Sequence, residues 1–258
     1  MLSTFTPNEI TVLKETYRLT FKTSASDLTT QVSLLLDEEK LHTYLTKVKS
    51  ITKAANLGVA ASLFVKRYSF AVLIALYSMT IMNKRIDFSV DNLSIQTLDE
   101  SDTIWLPSIK FESLNLSPSL DFDRANWRNE ILTEIFSNHI EILFSCLNKV
   151  SKLSKRIMWE NLYTYIVWMY TNLLANKEYE DLHPIIIDDF DWITSVGKGN
   201  VFGEYIENPF LNFRGTKESI NLLDGTPHKR ITCCLSYLTE SNRSFCKNCP
   251  IKRKRKQV

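Results

Sequence analysis

The stretch from Ala54 to Met82 limits what this chain can fold into. It is the most apolar part of the sequence, and its uncharged core, Tyr68 to Met82, runs for fifteen residues. That falls short of the roughly 20 needed to cross a bilayer, and Lys66 and Arg67 interrupt the longer run. The pattern predicts a buried central helix rather than a membrane anchor. With 44% hydrophobic residues and only six glycines in 258, the chain should fold into a compact, helix-rich body around it.

The neighbouring segments read as that body. Thr6-Pro7-Asn8-Glu9 has the form of a capping box with proline in the first helical position. Asp37 opens a second helix whose stripe is Leu41, Tyr44, Leu45, Val48 and Ile51. From Arg85 to about Pro118 the apolar period drops to two, through Ile86, Phe88 and Val90 and on to Ile109 and Phe111, which predicts three or four short antiparallel strands. Helical spacing returns near Asp123 and holds from Trp127 to Val150, with Cys146 as a packed thiol beside the stripe. A further helix is expected from about Ser154 to Ala175, antiparallel to the one before it. Ile185-Ile186-Ile187 reads as a short strand, with Asp188, Asp189 and Asp191 as turn residues rather than a metal site.

The chemistry is concentrated at the end of the chain. Four of the five cysteines, Cys233, Cys234, Cys246 and Cys249, lie within seventeen residues, spaced C-C-x11-C-x2-C. Such a cluster calls for a metal, a redox pair or a disulfide frame. The opening Met-Leu-Ser-Thr-Phe-Thr-Pro has no basic and apolar signal pattern, so a reducing cytoplasmic setting is expected, which disfavours disulfides. Cys246-x2-Cys249 suits a tetrahedral zinc half-site, whereas adjacent Cys233 and Cys234 tend to point apart on an extended backbone. A two-iron cluster offers ligand positions on two metals and tolerates that better. The steric argument favours the cluster and leaves zinc open.

Charge follows the same division. From Lys229 onward, nine Lys or Arg face one acid, a net of +8 that leaves −6 on the rest of a chain whose total is +2. Cations around an anionic cluster would raise its potential and steer anionic substrates toward it. His228 is expected beside the cluster or exposed to solvent rather than on the cluster. No Gly-x-Gly-x-x-Gly or Gly-x4-Gly-Lys motif is present, so a nucleotide-binding loop is unsupported.

The ending Cys-Cys, Tyr237, Cys246-x2-Cys249, Pro250 resembles that of the FhuF-like ferric-siderophore reductases, whose usual gap between cysteine pairs is about one residue shorter. Looser likeness runs through Ser62-Leu63, Lys66-Arg67-Tyr68, Asn83-Lys84, Trp159-Glu160-Asn161 and Asn208-Pro209-Phe210. The resemblance implies a [2Fe-2S] cluster on Cys233, Cys234, Cys246 and Cys249. It also implies one-electron reduction of a ferric siderophore, an anionic or hydroxamate-type chelate, to release Fe(II). Lys66, Arg67, Arg230 and Arg253 are the candidate substrate contacts. The electron donor would be a ferredoxin, a flavodoxin-like protein or a small thiol, and peripheral association with a membrane siderophore importer is compatible with the reading. Nucleic acid is not an expected partner. A zinc-binding module with a basic tail, or an iron-sulfur redox sensor, is the alternative. The expected fold is α+β, a mostly helical body (1–225) with a small antiparallel sheet and a C-terminal iron-sulfur segment (226–258).

Overall fold

A computed structural model describes residues 4–114, 116–118, 123–214, 229–240, 245–246 and 248–254. The apolar run forms helix α3 (Leu57–Thr80), capped by the Asn56 side chain on the Val59 amide. By length and composition it could cross a membrane, but 89% of its most apolar window is buried inside the fold. Helices α1 (Pro7–Tyr17), α2 (Glu38–Thr52) and α6 (Lys155–Ala175) pack around it. The capping box on α1 forms as expected, Thr6 and Glu9 each bonding the other's backbone amide. Asp37 caps α2 by accepting from the Glu39 and Lys40 amides.

The period-two region yields four strands, β2 (Lys84–Ile86), β3 (Leu93–Gln96), β4 (Ser108–Phe111) and β5 (Leu116–Pro118). They divide between two antiparallel sheets. One pairs β2 with β5; the other has the order β1-β3-β4, where β1 is the short Thr30–Gln31. Ile95 sits opposite Ile109 and Leu93 opposite Phe111, so the apolar residues meet on one buried face.

The next helical stretch is interrupted. Helix α4 (Arg124–Ile135) runs into a π-helical turn, Phe136–Glu141, before α5 (Ile142–Ser151). The wide turn lies at His139, which is 1% exposed. Its ring meets the Tyr68 hydroxyl through Nε2 (2.6 Å) and the Phe88 carbonyl through Nδ1 (2.7 Å). A carbonyl only accepts, so Nδ1 carries the proton and Nε2 accepts from tyrosine. Burial pushes the His139 pKa down to about 4.

The segment expected as a strand at 185–187 is helical and belongs to α7 (His183–Asp191), with Pro184 at the helix start. The residues expected as turn aspartates are ion-paired. Asp189 is fully buried and receives both guanidinium Nη groups of Arg124 at 2.7 Å and Arg128 Nη1 at 2.9 Å. Asp188 pairs with Arg128 at 2.5 Å and Asp191 with Arg214 at 2.7 Å. Burial of Ile186 and these partners outweigh the strand propensity of three consecutive isoleucines. Cys146 is half-buried against the core, as expected.

Candidate metal centre

The cysteine segment is held by the two central helices. Glu160 of α6 is wholly buried and aims its carboxylate at the incoming chain. It accepts from the Ile231 amide at 2.5 Å, the Thr232 amide at 2.7 Å and the Thr232 hydroxyl. Arg230, 5% exposed, lies 3.6 Å from the same carboxylate. Arg230 also donates to Asn161 Oδ1 (2.7 Å), Thr164 Oγ1 (3.1 Å) and the Thr232 carbonyl (3.2 Å). A buried charge needs a partner and full hydrogen bonding, and this pair has both. Asn161 then donates to the Ser62 hydroxyl of α3 (2.9 Å), which donates to the Cys234 carbonyl (2.7 Å). Between the two cysteine pairs, the Leu238 carbonyl accepts from the Ala55 amide (3.1 Å), and Glu240 pairs with Lys53 (2.6 Å).

This grip presents the adjacent thiols to different partners. Leu235 takes a left-handed conformation (φ 61°), turning the chain directly after them. Cys234 Sγ lies 3.8 Å from Cys246 Sγ, while Cys233 Sγ accepts from the Leu235 amide at 3.4 Å. Cys249 is brought back by its own amide, which donates to the Cys246 carbonyl at 3.1 Å, and Pro250 follows as the first residue of α8 (Pro250–Lys254). Among the described residues, no three His, Cys, Asp or Glu side chains gather around one point that could hold a single ion. Cys234 and Cys246 approach each other, and Cys249 lies near enough to raise the pKa of both Cys233 and Cys246.

The electrostatics single out Cys234. Its pKa is drawn down to about 4, first by a hydrogen bond from Cys246, against burial, with Lys66 and Ser236 assisting. The Ser236 hydroxyl receives Lys66 Nζ at 3.3 Å and reaches Cys234 Sγ at 2.8 Å, so it carries the influence of the cation to the sulfur. Cys246 keeps its proton and is pushed up, whereas burial pushes Cys233 up to about 11. The Leu235 amide also donates to Cys233 Sγ at 3.4 Å. Thiolate character together with amide and hydroxyl donors is what a metal-binding sulfur set requires.

Beside Cys234 and Cys246 opens a cleft of about 270 Å³, walled by Lys66, Phe70, Tyr165, Trp168 and Arg230. Of the candidate substrate contacts, Lys66 and Arg230 line it, although Arg230 is committed to Glu160. Arg67 turns instead to the Trp105 carbonyl (3.0 Å) and the Ile104 carbonyl (3.1 Å). Arg253 falls within α8, but its side chain lies outside the described residues, as do His228, Arg243, Lys247, Arg255 and Lys256.

The roles of Glu160, Asn161, Ser236 and Trp168 were not assigned from sequence. A signal existed for Glu160, which is the sole charged residue between Ile157 and Ala175. A lone acid in an otherwise uncharged helix is a candidate for a buried partner. The cysteine cluster itself was legible from spacing alone.

No curated protein matches the chain. Residues 62–189 match the family model described as "Ferric iron reductase FhuF-like transporter". The matched stretch contains Ser62, Lys66, Glu160 and Asn161, which contact the cysteine segment, and ends before the four terminal cysteines. The chain belongs to the FhuF-like ferric iron reductase family.

Proposed function

We propose that the protein is a cytoplasmic ferric-siderophore reductase that passes one electron to chelated iron from a [2Fe-2S] cluster held by Cys233, Cys234, Cys246 and Cys249. The observation carrying this reading is the gathering of those thiols, with Cys234 and Cys246 3.8 Å apart, beside a cleft lined by aromatic rings and cations. A zinc ion would ask for four sulfurs around one centre. Two iron atoms ask for two ligands each, a demand that adjacent Cys233 and Cys234 meet more readily than that of a single tetrahedral centre.

When bound, the cluster supplies a one-electron relay between an external donor and the iron of the substrate. The residues of the chain do the rest. Glu160, Asn161 and Ser62 fix the path of the backbone that bears Cys233 and Cys234. Ser236, with Lys66 behind it, and the Leu235 amide provide hydrogen bonds at the sulfurs, which favour added negative charge. Lys66 sits at the cleft, where it attracts an anionic chelate. The electron comes from a ferredoxin, flavodoxin-like or thiol donor and ends on Fe(III). Fe(II) is less charged and is held far less tightly by hard oxygen donors, so it leaves.

The test is anaerobic purification with iron, sulfide and zinc analysis, followed by spectroscopy and turnover of a ferric chelate. About two irons and two sulfides per chain are expected, with an EPR signal only after reduction. Cys233→Ser, Cys234→Ser, Cys246→Ser and Cys249→Ser should each lower or abolish iron content, while Cys146→Ser should keep it. Full occupancy in all four ligand variants, or about one zinc in place of iron, would overturn the reading.

A further inference from the structure

The sulfurs of the two adjacent cysteines meet unequal surroundings. Cys234 Sγ lies 2.8 Å from the Ser236 hydroxyl, whose oxygen is 3.3 Å from Lys66 Nζ. An ammonium group only donates, so it takes a lone pair of the serine oxygen and leaves the hydroxyl proton for the sulfur. Cys234 and Ser236 are both buried, which shields the contact from water. Lys66 has no carboxylate partner among the described residues. The negative group it faces is the Cys234 sulfur, on which it also acts through space.

Cys233 is placed differently. It is partly exposed, and it accepts from a neutral backbone donor, the Leu235 amide, at a longer 3.4 Å. The cleft adds to the contrast. Cys234 and Cys246 are among its lining residues, whereas Cys233 and Cys249 are not.

These differences decide where one added electron rests. A reduced two-iron cluster carries one ferrous and one ferric iron. Where both irons have only thiolate ligands, ligand type does not choose between them; hydrogen bonds to sulfur, nearby charge and solvent access do. A unit charge behind a buried sulfur outweighs a neutral donor at an exposed one, because the interior screens it less. We propose that the Lys66–Ser236 pair directs the added electron to the iron that takes Cys234, the adjacent thiolate that lines the cleft. The electron enters from the external donor and turns that iron from ferric to ferrous, with no bond made or broken. Lys66 and Ser236 are positioning residues in this role, acting through the sulfur. The inference rests on the cluster reading, since it concerns where the electron of that cluster sits.

The test uses the full-length, cluster-loaded protein, reduced anaerobically with dithionite. In its proton NMR spectrum, cysteine β-protons on the ferric iron are shifted far downfield and move back on warming. Those on the ferrous iron are shifted less and move the opposite way. The Cys234 β-protons, assigned by Overhauser contacts to Ser236, should follow the ferrous pattern; the ferric pattern there would overturn the inference. A second arm reads the midpoint potential by EPR-monitored titration. Ser236→Ala and Lys66→Met should each make reduction about tenfold less favourable, a drop of ~59 mV for one electron. Ser236→Thr and Lys66→Arg should keep most of the parental value. Arg156, an exposed cation lining a different cleft, serves as the control, and Arg156→Met should leave the potential unchanged. An unchanged potential in Ser236→Ala or Lys66→Met would overturn the inference, and so would an equal drop in Arg156→Met, because loss of any charge would then suffice. Iron content and far-UV circular dichroism check each variant. The NMR arm needs no variant, so a substitution that fails to load its cluster still leaves the inference open to refutation. About one zinc in place of iron would sink the cluster reading itself. A loaded cluster whose ferrous iron lies away from Cys234 would sink this inference and leave that reading. The expected pattern without reduction of ferric chelates would sink the reductase reading and leave the inference.

Discussion

Glu160→Gln is the most informative single change, because one carboxylate holds both residues 231 and 232 at the entry to the cysteine segment. Glu160 is fully buried and accepts from two amides and a hydroxyl while lying beside Arg230. Glutamine keeps the shape but replaces one oxygen with a donor. One donor of residues 231–232 would then face an N–H₂ group, and Arg230 would be left buried without its counter-charge. A charge-assisted hydrogen bond is worth about 1.5–3 kcal/mol. Breaking a buried ion pair from one side costs about 3–5 kcal/mol. The two costs overlap, so about 4 kcal/mol is expected, close to a thousandfold in the docking equilibrium. The loss should be local. Hydrogen exchange of the Ile231 and Thr232 amides should accelerate by about three orders of magnitude, while amides inside α3 and α6 keep their protection. Bound iron should fall in parallel. Adding Arg230→Gln should cost less in the variant than in the parent, since the orphaned charge is removed. Unchanged protection at Ile231 and Thr232 would refute the reasoning, because it would mean the carboxylate does not hold them.

Other expectations follow from the body. The folded pKa of His139, about 4, lies below its unfolded value, so its stabilising contribution is complete above about pH 6.5 and is lost as pH falls toward 4. Urea unfolding between pH 7 and 4.5 should show a loss of about 2–3 kcal/mol that is absent in His139→Gln; equal pH slopes in both proteins would contradict it. Asp189→Asn should destabilise by about 3–5 kcal/mol, whereas Asp188→Asn, with a carboxylate 67% exposed, should cost under ~1 kcal/mol in the same assay. Gly199→Ala would place a Cβ 2.1 Å from the Tyr205 carbonyl oxygen, so a loss of at least ~1–3 kcal/mol is expected from chemical denaturation; parental stability would show that the backbone yields freely there.

Local signals carried much of the fold. The capping box at Thr6, the Asp37 cap and the uncharged run of α3 each act within a few residues, so sequence reveals them. The same holds for the cysteine spacing. What was hidden depends on distant partners. Strand β1 has two residues, too few for an alternating pattern, and it joins β3 from more than 60 positions away. Asp189 looked like a turn residue because Arg124 and Arg128, which neutralise it, lie on another helix. Ile185 to Ile187 read as a strand because β-branched side chains favour extended backbone when nothing else decides. At the site, Arg67 looked available for a ligand until the loop at Ile104 and Trp105 came to occupy it. Arg230 belonged to the basic tail by composition, yet its guanidinium is buried among Glu160, Asn161 and Thr164.

Part of the grip on the terminal segment falls on its peptide groups. The amides of Ile231 and Thr232 and the carbonyls of Cys234 and Leu238 bond the body directly, beside the side-chain bonds of Arg230, Thr232, Ser236 and Glu240. Every residue type offers those groups apart from the missing proline N–H, so at these four points the body recognises the route of the segment and not its spelling. Ile231, nearly half exposed, can change its side chain without loosening the clasp. The holder and the held segment are thus under different rules. Ser62, Glu160 and Asn161 must keep their identities to make these bonds, while the cysteine segment answers mainly for its sulfurs, for Arg230 and for the turn at Leu235. It behaves as a replaceable cartridge in a fixed socket, open to drift or redesign between its contacts.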